Sequence, residues 1–128
     1  MTIGSTTRPT GTPHVSSNDT FLEGRSVADC PLVSVIMPAF NEAVMLGSTL
    51  TAVCRYMDSL QDRYQWELIV VNDGSADRTG ELAEAFASAR SGVRVVHQAR
   101  NRGLGQALRS GFTHSRGEYV VVLDSDLS

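Results

Sequence analysis

The sequence predicts an α/β chain: an open parallel sheet with helices on both faces, in the order β-α-β-α-β-α-β. From Leu32 onward, short apolar runs alternate with amphipathic segments. Each interval between runs is long enough for a crossover helix, which makes the strands parallel and the crossovers right-handed. Every apolar run also ends in a polar or glycine-rich cluster, and such sheets bind ligands outside the carboxyl ends of their strands.

The first strand is read at residues 32–37 (LVSVIM), β-branched and stopped by Pro38. Leu46, Leu50, Val53, Met57 and Leu60 then recur at spacings of 4, 3, 4 and 3, one face of a helix running to about Leu60. Residues 66–72 (WELIVVN) form the second strand. Leu82, Ala85, Phe86 and Ala89 mark a second helix, with Asp77 or Thr79 as its cap. Residues 93–98 (VRVVHQ) are the third strand, and Leu104, Ala107, Leu108, Gly111 and Phe112 the third helical face, ending near Gly117. Residues 119–124 (YVVVLD) are a fourth strand, apolar on both faces as a buried parallel strand should be.

Residues 1–30 are rich in Ser, Thr, Gly, Pro and Asp. They hold too little apolar surface to offset their ordering entropy, so a disordered tail is expected there and a single domain over 31–128. The chain of 128 residues carries a net charge of −3, which argues against a nucleic-acid or anionic-membrane binder. All 11 basic side chains are Arg, which excludes Schiff-base and P-loop lysine chemistry. No stretch approaches the roughly 20 apolar residues of a transmembrane helix, and no signal peptide is read. Cys30 and Cys54 fall in no zinc-type spacing with His14, His97 or His114 and read as idle thiols in a reducing compartment. A cytoplasmic location, or the cytoplasmic face of a membrane, is expected.

Four clusters should share one rim: 38–42 (PAFNE), 72–75 (NDGS), 100–105 (RNRGLG) and 124–126 (DSD). In extended chain, residues i and i+2 point the same way, so Asp124 and Asp126 can face one cation, and hard oxygens suit Mg²⁺ or Mn²⁺. Alone, such a pair is more often a solvated turn; its place on the rim favours the metal. Asp73-Gly74 resembles a hairpin turn, but a helical period follows it, which leaves Asp73 as an acceptor after a strand. Gly103-Leu104-Gly105 mimics part of a dinucleotide fingerprint, yet Leu108 holds the third glycine position and the third strand precedes it rather than the first. A phosphate at that helix start remains open, with Arg100 and Arg102 either neutralising it or simply exposed. Glu42 is either a helix-dipole complement or a ribose acceptor. His97 and His114 read as structural or exposed.

The stretches VSVIMPAFNE (33–42), VVNDGSADRT (70–79), NRGLGQALRSG (101–111) and VVLDSDLS (121–128) resemble glycosyltransferase family 2, with its Rossmann-like GT-A fold. The branch they resemble most is the one that makes polyprenyl- or dolichyl-phosphate sugars. The resemblance implies a UDP- or GDP-sugar donor at Pro38, Ala39, Glu42, Asp73, Gly103, Gly105, Asp124 and Ser125. Glu42 would lie near the ribose, Asp73 would accept from the base, and Gly103 and Gly105 would form the turn beside the nucleotide. Asp124 and Asp126 would hold Mg²⁺ or Mn²⁺ against the diphosphate. Ser128 stands where some relatives place Gln. The resemblance also implies inverting displacement, with any general base beyond residue 128.

That implies the donor half of a longer enzyme, truncated after the D-x-D pair and silent by itself. The apolar run 119–123 would then leave an aggregation-prone edge. The alternatives are a nucleotide-binding remnant without turnover and a sugar nucleotidyltransferase, though the latter wants a basic glycine-rich loop where Phe40-Asn41-Glu42 stand. A phosphoacceptor domain of flavodoxin-like type wants a Lys that this chain lacks.

Overall fold

The computed structural model describes residues 2–4 and 29–125. In chain order the elements are β1 (Thr2–Gly4), β2 (Leu32–Ala39), α1 (Ala43–Asp58), β3 (Gln65–Asp73), α2 (Thr79–Ala89), β4 (Val93–Gln98), α3 (Leu104–His114) and β5 (Tyr119–Val122). The sheet order is β1-β5-β2-β3-β4. Strands β2 to β5 are mutually parallel, and β1 runs antiparallel along β5. The βαβαβαβ reading therefore holds.

The handedness of crossovers explains the layers. The path β2→β3→β4 steps one way across the sheet, so right-handed connections place α1 and α2 on one face. The path β4→β5 returns past β3 and β2, which puts α3 on the other. The period-two alternation of the strands serves both. Val33, Val35, Met37, Leu68 and Val70 pack with Leu46, Leu50, Val53 and Met57 of α1 and Ala83 of α2. Ile36, Ile69 and Val71 pack with Ala107 and Leu108 of α3. Ile36, Leu46, Leu50, Leu68 and Ile69 are wholly buried, each worth about 1.5–3 kcal/mol of burial.

Strand β2 runs two residues past its expected stop, through Pro38 and Ala39. The backbone N–H of Glu118 donates to Leu32 O and that of Leu123 to Ile36 O, so alternate residues of β2 face β5. Pro38 falls on that same side, one step beyond the last β2–β5 pair, Ile36↔Val122. Its missing N–H thus falls where the β2–β5 ladder ends.

Helix α3 approaches β2 closely because residue 111 is Gly: a Cβ there would lie 2.4 Å from Cγ2 of Ile36. Alanine normally stabilises a helix by about 1 kcal/mol over glycine. At Gly111 the sign should reverse, because the stiff, buried Ile36 leaves no room. Gly111→Ala is expected to lower unfolding free energy by about 1–3 kcal/mol in urea titration.

At the amino edge of the sheet Glu67 is buried. Its Oε2 accepts from Ser34 Oγ at 2.6 Å and from the Arg116 N–H at 2.8 Å, and its Oε1 accepts from Arg94 Nη2 at 2.8 Å. Ser34 Oγ in turn accepts from the Gly117 N–H at 2.8 Å. This cluster anchors the α3–β5 turn. Burial pushes the Glu67 carboxyl up, but the bonds from Ser34, Arg116 and Arg94 outweigh it and hold the carboxyl below its ordinary range.

Two expectations change at the edge. Composition predicts a disordered tail over 1–30, yet Thr2–Gly4 pairs with β5 in the register Thr2↔Val122 and Gly4↔Val120. A β ladder needs only the free N–H and C=O groups of its partner, which composition does not register. Strand β5 consequently has a neighbour on both sides instead of the bare edge expected of it. Residues 5–28, His14 among them, lie outside the described residues. Cys30 and Cys54 are buried and form no disulfide, and burial raises the Cys54 thiol above its ordinary range.

Candidate functional site

Strand order reverses between β5 and β2, which is the switch point where doubly wound sheets open a crevice. A cavity of about 390 Å³ lies there. Its walls bring together Pro38, Ala39, Glu42, Asp73, Gly103, Asp124 and Ser125 from the four strand ends. Phe40, Asn101, Leu104 and Ala107 also line it. Gly105 does not: α3 begins at Leu104, so Gly105 sits exposed in the first helical turn rather than in the turn before it. Asp126 and Ser128 lie outside the described residues. Arg100 and Arg102 line a neighbouring cleft with His97, not this cavity.

Asp73 is 4% exposed, and its carboxylate holds the β4–α3 loop. Oδ1 accepts from the Arg102 N–H at 2.9 Å, and Oδ2 accepts from the Gly103 N–H and Asn101 Nδ2, both at 3.1 Å. Gly74 lets the loop lie against β3. Its φ is +70°, and a Cβ there would fall 2.1 Å from the carbonyl carbon of Arg100. The sequence motif NDGS thus works as a seat for the segment NRG, and Gly103, with φ of +95°, turns that segment into α3. A carboxylate has about four acceptor sites, so Asp73 retains capacity toward the cavity.

The β2–α1 loop is latched to the β3–α2 loop. Asn41 adopts φ of +52°, a left-handed conformation that Asn tolerates. Its N–H donates to Ser75 Oγ at 3.0 Å, and its Oδ1 accepts from the Ala76 N–H at 2.8 Å. The Glu42 N–H donates to Thr79 Oγ1 at 2.8 Å, and the Ala43 N–H to Asp77 Oδ2 at 3.2 Å. Asp77 also accepts from the Thr79 hydroxyl and N–H. These bonds, the Thr79 hydroxyl foremost, hold the Asp77 carboxyl below its ordinary range against slight desolvation. The cap position of α2 is Arg78, with no side-chain cap bond, rather than the expected Asp77 or Thr79; Asp77 accepts from the first N–H groups of both α2 and α1, the latter a role its sequence position does not reveal. Glu42 is left with its backbone fixed and its side chain at the cavity.

Phe40 and Leu104 are 42% and 62% exposed, unusual for apolar residues of their size. They give the cavity apolar walls beside its carboxylates. Their only sequence signal is position, each next to a cluster residue. Among the described residues, no three His, Cys, Asp or Glu side chains converge as a metal site. Asp124 is exposed at the cavity, and no described hydrogen bond or ion pair engages its carboxylate. No helix among the described residues is long and apolar enough to cross a membrane.

An open parallel sheet with its crevice at the switch point, walled by strand-end loops, defines a doubly wound α/β protein of the Rossmann-like class. The model of the glycosyl transferase family 2 matches residues 34–128, and the chain belongs to that family. It is 36% identical over 97 residues to a dolichyl-phosphate β-glucosyltransferase, ALG5D, of Trichomonas vaginalis, a match covering 73% of this chain and 30% of that one. It is 40% identical over 97 residues to an undecaprenyl-phosphate 4-deoxy-4-formamido-L-arabinose transferase of Edwardsiella ictaluri, covering 74% of this chain and 29% of the relative. The chain thus spans less than a third of the length of these relatives. Among solved structures, the mannosyltransferase PcManGT of Pyrobaculum calidifontis, in complex with GDP-Man and Mn²⁺, superposes with a TM-score of 0.67 at 24% identity, over 85% of this chain and 33% of that one. S. aureus TarS in complex with UDP-GlcNAc superposes with a TM-score of 0.61 at 24% identity, over 73% of this chain and 26% of that one. Likeness at that identity shows the GT-A fold.

Proposed function

We propose that this chain is the donor-binding half of an inverting hexosyltransferase that moves a sugar from a nucleoside-diphosphate sugar, UDP- or GDP-linked, to a polyprenyl phosphate. One observation carries the reading: the switch-point cavity joins apolar walls, a loop-held carboxylate and the strand-end Asp124 in a single space. The polyprenyl-phosphate transferases among the relatives support the acceptor class, and PcManGT and TarS support the donor class by the ligands in their complexes.

Pro38, Ala39, Phe40 and Leu104 offer apolar surface to a base or ribose face. Glu42 accepts from ribose hydroxyls, and Asp73 offers its remaining acceptor site to the base. Gly103 allows close approach of the backbone, and Ser125 backs the diphosphate. The donor chemistry of Asp124 fits Mg²⁺ or Mn²⁺. Such ions keep several waters and take one or two carboxylates, with substrate phosphates completing the shell; Asp126 is the second carboxylate of this reading. Asp124 and Asp126 would hold such an ion, which when bound would supply Lewis-acid stabilisation of the charge growing on the departing diphosphate. A lipid phosphate is already anionic and attacks without a general base, so the base reserved for hydroxyl acceptors is unnecessary. Two buried cysteines outside any disulfide are consistent with a reducing compartment, and the reading sets the reaction at the cytoplasmic face of a membrane.

Calorimetric titration of UDP and GDP, with and without Mn²⁺, tests the reading. One nucleotide should bind about tenfold more tightly with Mn²⁺, a gain of about 1.4 kcal/mol. Asp124→Asn and Asp126→Asn should each abolish that gain. Absence of binding to the wild-type chain, or an undiminished gain in both variants, overturns it.

A further inference from the structure

We infer that His97, which lies outside the cavity, is a positioning residue for it, acting in its neutral form through Asn72; the inference rests on the nucleotide-binding reading above. His97 Nε2 is 2.7 Å from Glu84 Oε2, and its Nδ1 is 3.0 Å from Asn72 Nδ2. The Ser75 N–H donates to Asn72 Oδ1 at 3.2 Å, which turns the Asn72 NH₂ toward the ring. An amide NH₂ only donates, so Nδ1 is the acceptor and Nε2 carries the proton that bonds Glu84. Asn72 itself is 8% exposed and closely packed: a Cβ at Gly80 would fall 2.7 Å from its Nδ2.

The ring therefore sits at the end of a line of bonds. His97 orients Asn72, Asn72 holds Ser75, and Ser75 Oγ accepts from Asn41, the residue between the cavity-lining Phe40 and Glu42. Asp73, the seat of the β4–α3 loop, follows Asn72 at the end of β3. One of the bonds that latch the β2–α1 loop to the β3–α2 loop thus traces back to this acceptor nitrogen.

Protonation removes that acceptor. An imidazolium presents N–H at Nδ1 against the NH₂ of Asn72, and relief requires the amide to rotate. Rotation then sets NH₂ against the Ser75 N–H and breaks that bond. The Glu84 bond survives, because Nε2 donates in both states. The charged group bonded to the ring is Glu84 from α2, and Arg100 and Arg102 line the same cleft from the β4–α3 loop. Strand β3 presents Asn72, which is uncharged.

Two readouts on the whole chain test this. In NMR titrated from about pH 8 to about pH 5, the Ser75 amide resonance should follow the resonances of the His97 ring itself. In His97→Gln, whose carbonyl replaces the Nδ1 acceptor without titrating, it should not move. In calorimetry with Mn²⁺ and UDP or GDP, wild-type affinity should fall about tenfold more than that of His97→Gln over the same interval, the equivalent of one lost hydrogen bond. The nucleotide's own phosphate titration is common to both proteins and cancels. His97→Ala should bind weakly at both ends. A Ser75 amide indifferent to the ring, or His97→Ala binding like wild type at about pH 8, overturns the inference. A Ser75 amide that follows the ring in a chain that binds no nucleotide supports the coupling and overturns only the nucleotide reading.

Discussion

Asp73→Ala is expected to release the β4–α3 loop and to weaken nucleotide binding by at least about 100-fold. The carboxylate accepts three bonds, from the Arg102 and Gly103 backbones and the Asn101 amide, and the site is nearly closed to water. Bonds to a charged acceptor are each worth about 1.5–3 kcal/mol, and they are not additive, so a loss of about 3 kcal/mol in folding stability is expected as well. Asp73→Asn should fall between, since its NH₂ would confront either the Arg102 or the Gly103 N–H. Urea titration measures the stability change, and calorimetry with UDP or GDP the binding change. A folded Asp73→Ala with wild-type affinity would show that the loop holds its shape without its seat. Such a result would leave Gly74 packing and the bond from Asn101 Nδ2 to Asp73 O, at 3.3 Å, to restrain residues 100–101.

Glu67→Ala should destabilise the fold by about 3 kcal/mol without touching the cavity, because it strands Ser34 and the Arg116 N–H around an empty acceptor position and leaves the part-exposed Arg94 with its bond to His114 O. Glu67→Gln should cost less, since one amide oxygen still serves Ser34 and Arg116. The pH dependence follows from the lowered carboxyl. The folded state favours the ionised form more than the unfolded chain does, so the contribution is complete above the ordinary carboxylate pKa, about 4.3 in an unfolded chain. It fades as pH falls through the lower, folded value. Wild-type stability should therefore drop in acid more steeply than that of Glu67→Gln, in urea titrations repeated across the acid range. Parallel acid profiles for the two proteins would remove Glu67 from the account.

Much of the fold was legible along the chain because its signals are local. Runs such as 66–72 (WELIVVN) alternate between two buried faces, and the spacing of Leu46, Leu50, Val53 and Met57 repeats the helical turn. Crossover handedness then leaves few arrangements for four such units, so the gathering of Pro38, Ala39, Glu42, Asp73, Gly103 and Asp124 in one cavity follows from topology. The loops were less legible. Gly105 reads as a turn residue, but the helix starts one residue earlier, since Gly103 alone supplies the positive φ. Asp73 reads as a ligand acceptor, while most of its bonding capacity is spent on the β4–α3 loop, on the Asn101 amide and on backbone 29 and 30 residues away. Thr2–Gly4 reads as tail, and only the open side of β5 gives it a partner.

Period, punctuation and order along the chain determined the parallel sheet, its two helical faces and the edge at which the polar clusters meet. Those properties depend on neighbours a few residues apart and on a handedness common to all such chains. Tertiary structure alone decided which polar side chains face the cavity and which are consumed in holding it: Asp73 seating a loop, His97 orienting Asn72, Asp77 serving two helix starts, Glu67 buried at the far edge. Hydrogen bonds join partners brought together only after the sheet has closed. A carboxylate or an imidazole looks the same in sequence whether its partner is to be a backbone amide or a ligand.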